Sequence, residues 1–525
     1  MRQLKWWEHG IIYQIYPRSF QDTNGDGIGD LPGITERLDY LASLGVDGVW
    51  VSPIFPSPMA DFGYDVADYC NVSKIFGTLS DFQRLVSEAH ARGLKLILDY
   101  VPNHTSNRHP WFLESRSSRS NSQRDWYIWK DTAPGGAPPN NWLSEFGGSA
   151  WEWDAATKQY YYHSFLKEQP DLNWRNPAVQ EAMYDVLRFW LDRGVDGFRV
   201  DVIWMLIKDD QFRDNPANPR YVPGQPSRNK LLPVYTANQP EVHAVIADMR
   251  RVLDGYGDRV LIGEIYLPIE QLVAYYGPNL EGTNLPLNFQ LLETAWNAES
   301  IAGVIKTYEA ALPRGGWPNW VLGNHDKARI ASRIGDAQTR VAAMLLLTLR
   351  GTPTIYYGEE IGMRNVPIAP GQVQDPAEKN EPGIGMGRDP ERTPMLWDES
   401  DSAGFTSGKP WLPMAADYKK VNVAALSRSS GSILNLYREL TKLRRENAAL
   451  TAGEIGEVRA QGSILTYERR LAGDQFTIAL NFSDKESPEI LPQGTILLST
   501  YLDRFLETRG GKMSLRPNEG IILRN

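Results

Sequence analysis

The sequence predicts an α/β fold, specifically a (β/α)8 barrel with a loop-rich subdomain inserted after strand 3 and a C-terminal antiparallel β-domain. Three observations predict it: a recurring helix–glycine–strand unit, polar and acidic residues at the C-terminal ends of the apolar runs, and a change of periodicity near the C-terminus. Ile34, Leu38, Leu41 and Leu44 fall at helical spacing before Gly45 and the run GVDGVWVSP. Phe82, Leu85, Val86 and Ala89 do the same before Gly93 and LKLILDYVPNH, as do Val179, Met183, Val186, Leu187 and Trp190 before Gly194 and VDGFRVDV. GIIYQIYPRSF supplies a first strand, and further buried strands are read around Ile262, Val321 and Ile355. Helices alternating with apolar strands imply a parallel sheet covered on both faces. An open doubly wound sheet is the rival, since its sites also lie beyond strand C-termini. At least six strands fit, which favours the barrel, and on its C-terminal rim catalytic groups converge.

The boundaries follow from where this rhythm breaks. Residues 1–104 and 175–450 form the barrel; residues 105–174, rich in Trp, Asn, Gly and Pro, are too long for a plain connection and form the inserted subdomain. Between Trp204 and Pro240 a proline-rich run leaves the same rim and is expected to wall the cleft. After a helix over Ile433 to Arg445, the short β-type runs SILTYERR, QFTIALNFS and GTILLSTYLD define a β-domain over 451–525.

Composition narrows the function. The 525 residues carry 55 Lys and Arg against 64 Asp and Glu, a net charge of −9, which argues against binding nucleic acid. The longest apolar run, Val341 to Leu349, is about half a membrane span, so no membrane association is expected. The N-terminus lacks a signal-like apolar region, and the single cysteine, Cys70, permits no intrachain disulfide; both point to the cytoplasm. The 17 Trp, 24 Tyr and 16 Phe are an enrichment whose bulk reads as a large aromatic core, with some rings expected to face a cleft and stack on a sugar-like ligand.

Three strand ends bear carboxylates: Asp201 in GFRVDV, Glu264 in GEIY and Asp326 in GNHD. Retaining glycoside hydrolysis needs a nucleophilic carboxylate and a protonated acid about 5–5.5 Å apart. Arg199 lies two residues before Asp201 and so shares its strand face; its charge is expected to keep Asp201 ionised, while burial near other acids raises Glu264. His104 and His325 can donate to sugar hydroxyls. In DTNGDGIGD, Asp22, Asn24, Asp26 and Asp30 offer hard oxygen ligands, with the Ile28 carbonyl as a further donor; the chemistry suits Ca²⁺, with Mg²⁺ the stricter alternative.

The segments DYVPNH, GFRVD, GEIY and GNHD, in this order, resemble the ordered regions of the α-amylase family, glycoside hydrolase family 13, and QPDLN (Gln169 to Asn173) is similar to the marker of its oligo-1,6-glucosidase and α-glucosidase branch. The resemblance implies Asp201 as nucleophile, Glu264 as general acid/base and Asp326 as stabiliser of the charged sugar. It further implies a glucose pocket lined by Asp61, Tyr64, His104, Phe165, Gln169, Arg199, His325 and Arg392, with Asp61 and Arg392 holding the 4-OH and Tyr64 as stacking platform. The glycine-rich loop resembles the structural calcium loop of this branch. Val202, after the nucleophile, accompanies α-1,6 activity in the resembled branch. The expected enzyme is a retaining, exo-acting α-glucosidase of short α-glucosides, a monomer or homodimer. A transglucosylase or isomerase using the same glucosyl-Asp intermediate is the alternative, and a non-catalytic barrel acting as a binding subunit is the alternative from another class.

Overall fold

The computed structural model describes residues 4–505 and 507–525. Its centre is an eight-stranded parallel sheet: β1 (Ile12–Ile15), β2 (Gly48–Val51), β3 (Lys95–Tyr100), β4 (Gly197–Val200), β5 (Val260–Gly263), β6 (Leu285–Pro286), β7 (Asn319–Val321) and β8 (Thr352–Tyr356). The ladder runs from β7 through β8 and β1 to β6, and a bridge between Asn288 and Trp320 joins its two ends. The sheet is therefore a closed barrel and the open doubly wound alternative is ruled out. The strand not read from the sequence is β6. It spans two residues and one is Pro286, so it presents neither length nor an alternating pattern.

Most strands are reached by a helix that lays an apolar stripe on the sheet. Helix Leu79–Ala91 is started by a capping box between Thr78 and Asp81 and buries Phe82, Leu85, Val86 and Ala89. Gly45, Gly93 and Gly194 all adopt positive φ between such a helix and the next strand. These are the left-handed turns that end a helix, which explains why the sequence unit contains glycine at that point. Inside the barrel, Ile12, Trp50, Ile97, Ile262, Leu285 and Val321 pack together, and Trp7 from helix Trp6–His9 closes the cluster. The rim below the active residues is thus a filled core and not a pore.

Between β3 and helix Pro177–Leu191 lies a unit with helix Pro110–Ser117 and a three-stranded sheet of Trp129–Lys130, Gln159–Tyr162 and Trp151–Asp154, the middle strand in sequence lying at the edge. The 204–240 run leans on it: Trp142 donates through its indole N–H to the Arg213 carbonyl at 2.8 Å, and Arg228 pairs with Glu145 at 3.1 Å. Its far side meets the segment after β8, where the Ser227 N–H donates to the Glu381 carboxylate at 3.2 Å. The C-terminal unit is a six-stranded sheet; strands Glu454–Gln461, Glu507–Leu515 and Gly520–Arg524 join the three runs read from the sequence. It is fastened to helix Asp336–Thr348 by Arg469, whose guanidinium donates to the Thr348 carbonyl at 2.6 Å. Among the described residues no helix is long and apolar enough to cross a membrane. Cys70 is half-buried.

Candidate active site

The three carboxylates stand where the strands run out. The Asp201 N–H extends the ladder by donating to the Tyr100 carbonyl at 2.8 Å, and the Glu264 N–H does so to Val200 at 3.1 Å. Asp326 follows β7 in a turn closed by its own N–H on the Asn324 side chain at 3.0 Å. Backbone hydrogen bonding thus fixes the root of each side chain.

Arg199, fully buried, organises them. One terminal nitrogen donates to Asp201 at 2.7 Å and to Asp99 at 2.9 Å. The other lies 2.7 Å from Glu264 as an ion contact whose angle falls short of a hydrogen bond. Asp201 and Glu264 are therefore held on the two ends of one guanidinium, the side-by-side placement of two carboxyl groups that glycoside cleavage uses. The second oxygen of Glu264 accepts the Val202 N–H at 2.8 Å.

Burial and the charge of Glu264 push the Asp201 carboxyl well above its ordinary range, against the pull of Arg199. Glu264 is also raised, first by burial, with Arg199 again opposing. Arg199 lowers Asp201 as expected, but burial and Glu264 outweigh it: two buried carboxylates on one cation titrate as a unit that retains a proton. Asp326 behaves differently. Burial acts to raise it, but His325, Arg388 and Arg392 bring it well below the usual range. Burial pushes His325 itself far below 6.5, so at neutral pH this ring is uncharged and the arginines keep Asp326 ionised. They approach its carboxylate at 3.2 Å (Arg388) and 2.8 Å (Arg392).

Tyr64, His325 and Asp99 form a hydrogen-bonded row. The Tyr64 ring stacks on His325 with centroids 5.3 Å apart, and its hydroxyl lies 2.7 Å from His325 Nε2 and 3.0 Å from Asp99. Gln14 approaches His325 Nδ1 at 2.8 Å. On the opposite side, an antiparallel bridge between His104 and Asp171 draws the end of the inserted unit against β3. Gln169 Nε2 thereby reaches Asp61 at 3.2 Å and lies 3.1 Å from His104 Nε2, while the Phe165 ring sits 5.2 Å from the His104 ring. Burial lowers His104 to about 4. Lys208, also buried, pairs with Asp171 at 2.5 Å and donates to Asn103 at 2.7 Å, bracing this wall.

The partner of Asp61 is not the one expected. Arg388 contacts Asp61 at 2.7 Å, whereas Arg392 turns to Asp326 and to the His325 carbonyl at 2.7 Å. Arg388 is forked by Asp375, at 2.8 and 3.0 Å, and lies over the Phe146 ring at 4.8 Å. Burial raises Asp61 to about 6 even with these guanidiniums opposing it. Asp99, Asp171, Lys208, Asp375 and Arg388 are charged groups of the site and its wall that the sequence reading did not single out. A signal existed for Arg388: a pocket with this many acids needs cations, and GRDPER carries two arginines four apart.

The glycine-rich loop is wound by successive Asx turns. Asp22 accepts the Asn24 and Gly25 N–H groups at 2.9 Å, Asn24 accepts that of Asp26 at 2.9 Å, and Asp26 that of Ile28 at 2.8 Å. Asp30 caps helix Leu31–Glu36 through the Gly33 N–H at 2.7 Å and accepts from Thr23 at 2.8 Å. Among the described residues no group of three or more His, Cys, Asp or Glu forms a metal cluster by itself. Here the donor set would include Asn24 and the Ile28 carbonyl, all hard oxygens at alternating positions, which fits a Ca²⁺-type ion.

A parallel barrel bearing two buried carboxylates on one arginine, with a third held ionised beside them, defines the class: a glycoside-cleaving enzyme of paired-carboxylate type. Comparison with known proteins carries this one step further. Residues 14–453 match the α-amylase catalytic domain. A probable α-glucosidase of Rhizobium meliloti is 44% identical over 502 residues, covering 93% of this chain and 91% of that one. An oligo-1,6-glucosidase of Heyndrickxia coagulans is 40% identical, covering 99% of both. The solved α-glucosyl transfer enzyme XgtA superposes with a TM-score of 0.94 at 41% identity, covering 100% of each chain. The chain belongs to the α-amylase family, glycoside hydrolase family 13.

Proposed function

We propose that the protein is a retaining, exo-acting α-glucosidase that releases α-glucose from the non-reducing ends of short α-glucosides. The observation that carries this reading is the sharing of Arg199 by Asp201 and Glu264. Its directional hydrogen bond goes to Asp201 and favours that residue's charged form, while Glu264 has an ion contact with Arg199 and accepts the Val202 N–H; of the two, Glu264 is assigned the one proton this buried pair retains. Glu264 gives this proton to the glycosidic oxygen as the C1–O bond breaks, and an Asp201 oxygen bonds to C1. Water, deprotonated by Glu264, then attacks C1 and releases Asp201. Asp326, kept anionic by Arg388 and Arg392, faces the positive charge that develops on the sugar. Neutral His104 and His325 serve as hydroxyl partners, and Tyr64 and Phe165 as apolar surface. The buried wall of Asp61, Gln169 and Arg388 supports an exo mode, since its polar groups match the hydroxyls of a terminal sugar.

Val202 packs with Met205, Ala237, Phe165 and Trp204, and a β-branched side chain there tilts cleavage toward α-1,6 links, by about 1–3 kcal/mol of discrimination. A divalent cation, Ca²⁺ or with stricter geometry Mg²⁺, would be held by Asp22, Asn24, Asp26, Asp30 and the Ile28 carbonyl and would supply rigidity to the loop after β1. A lone half-buried cysteine supports a cytoplasmic setting, and because every site residue comes from one chain, a monomer or homodimer suffices for the reaction.

The test is Asp201→Asn, with 4-nitrophenyl α-glucoside as substrate. Turnover should fall about 10³-fold or more, and NMR of the wild-type reaction should show α-glucose first. Initial β-glucose would contradict retention, and an unchanged rate in the variant would return the non-catalytic reading. The similarity to XgtA supports one second reading, transfer of the glucosyl group to a sugar acceptor. A hydrolysis-to-transfer ratio that collapses when acceptor is added would favour it.

A further inference from the structure

Val202 is held at φ 38°, ψ 43°, a left-handed backbone conformation that β-branched residues avoid. Strain of this kind persists where its surroundings over-determine it, and it concentrates at functional sites. The strained residue is also the one whose own N–H, set by the Asp201–Val202 peptide plane, donates across to Glu264 at 2.8 Å, and beyond it the chain leaves the direction of β4. The next residues, Ile203–Met205, continue as a 3-10 turn, and Val202 is fixed from the side-chain end by Met205, Ala237, Phe165 and Trp204. One residue therefore joins the Asp201 strand end to the carboxylate on the adjacent strand.

We infer that the backbone N–H of Val202 is a positioning group for the reaction: it orients Glu264 and stabilises the carboxylate that forms when Glu264 gives up its proton. This rests on the assignment of Glu264 as acid/base. In the glycosylation step the proton passes from Glu264 to the leaving oxygen, and negative charge appears on the carboxyl group that this N–H faces. A donor aimed at charge that develops in the transition state accelerates the step, because it gains strength as the reaction proceeds. Other charged or titratable groups also face Glu264: Arg199 and Asp201 from β4, Asp99 from β3, Asp326 from the end of β7, and Tyr266 two residues on. Arg199 favours the anion and the acids oppose it, so the N–H adds to the cation's side of that balance.

The experiment replaces the 202 amide by an ester, through full-length protein carrying the α-hydroxy analogue of valine. The side chain stays and only the N–H is lost. The basic limb of kcat/KM should move up by about one pH unit, the scale of one hydrogen bond to a charged group. Val202→Asn, which tolerates the left-handed turn and keeps the N–H, should leave the limb where the parent has it. An unmoved limb in the ester, or an equal movement in Val202→Asn, would overturn the inference. Independently of either variant's folding, the Val202 amide resonance of ¹⁵N-valine-labelled enzyme should titrate with the basic limb; a static resonance would also overturn it. Glu264→Gln separates the two assignments: if the basic limb survives in that variant, the acid/base reading of Glu264 is what fails.

Discussion

Arg388 offers the sharpest test of the site's electrostatics. It is 12% exposed and touches three carboxylates: Asp61, Asp326 and Asp375. Replacing it by leucine removes the guanidinium that lies over Phe146 and with it the charge those acids face. Breaking a buried pair by removing one partner costs about 3–5 kcal/mol. The deficit has a defined pH dependence. Asp61 already sits at about 6, above its unfolded value, so it costs stability as pH rises through that value and costs nothing below the unfolded one. Without Arg388 its carboxyl rises further, which extends this loss to higher pH. Arg388→Leu should therefore be most destabilised near pH 8 and recover part of the deficit toward pH 5, where Asp61 is protonated in either protein. Because Arg388 also lowers Asp326 and Asp61, the acid limb of kcat/KM should shift upward. Calorimetric melting at both pH values, with pH–rate profiles, reads both effects. A variant with the parent's melting temperature at pH 8 and an unmoved acid limb would refute the role assigned to Arg388.

Three further outcomes follow. His104, at about 4, and His325, pushed by burial well below its ordinary value, should show neutral imidazole ¹⁵N shifts from pH 6 to 8; protonation of either ring in that window would contradict the burial argument. Lys208→Met leaves Asp171 buried without its cation and should cost about 3–5 kcal/mol in denaturant unfolding; a loss below about 1 kcal/mol would show that the brace is unimportant. Chelation should lower the melting temperature while turnover per folded molecule is retained; immediate loss of turnover without destabilisation would point to a metal in the chemistry.

Legibility in the sequence tracked the length of each signal. Seven barrel strands carry an apolar run that a helix and a glycine introduce or that a polar motif closes, and these are visible without a structure. Leu285–Pro286 is too short to carry any period. The motif residues Asp201, Glu264 and Asp326 announce themselves at strand ends, because the barrel makes that position meaningful. Arg388 does not, since it stands in an irregular segment after β8 whose path no local pattern specifies. Asp375 is further hidden because its local role, capping helix Pro376–Asn380, accounts for its presence by itself. Pairings such as Asp61 with Arg388, separated by 327 positions, are set by tertiary placement and cannot be assigned from spacing.

The bridge between Asn288 and Trp320 has a consequence for how the enzyme should fail on heating. Two-residue β6 meets β5 through two residue pairs and β7 through that bridge, so the staves are most loosely hooped along this line. Glu264 stands on one bank of it and Asp326 on the other. Warming should part these banks before the helical shell lets go, and turnover should fade at temperatures where the ellipticity of the protein is still intact.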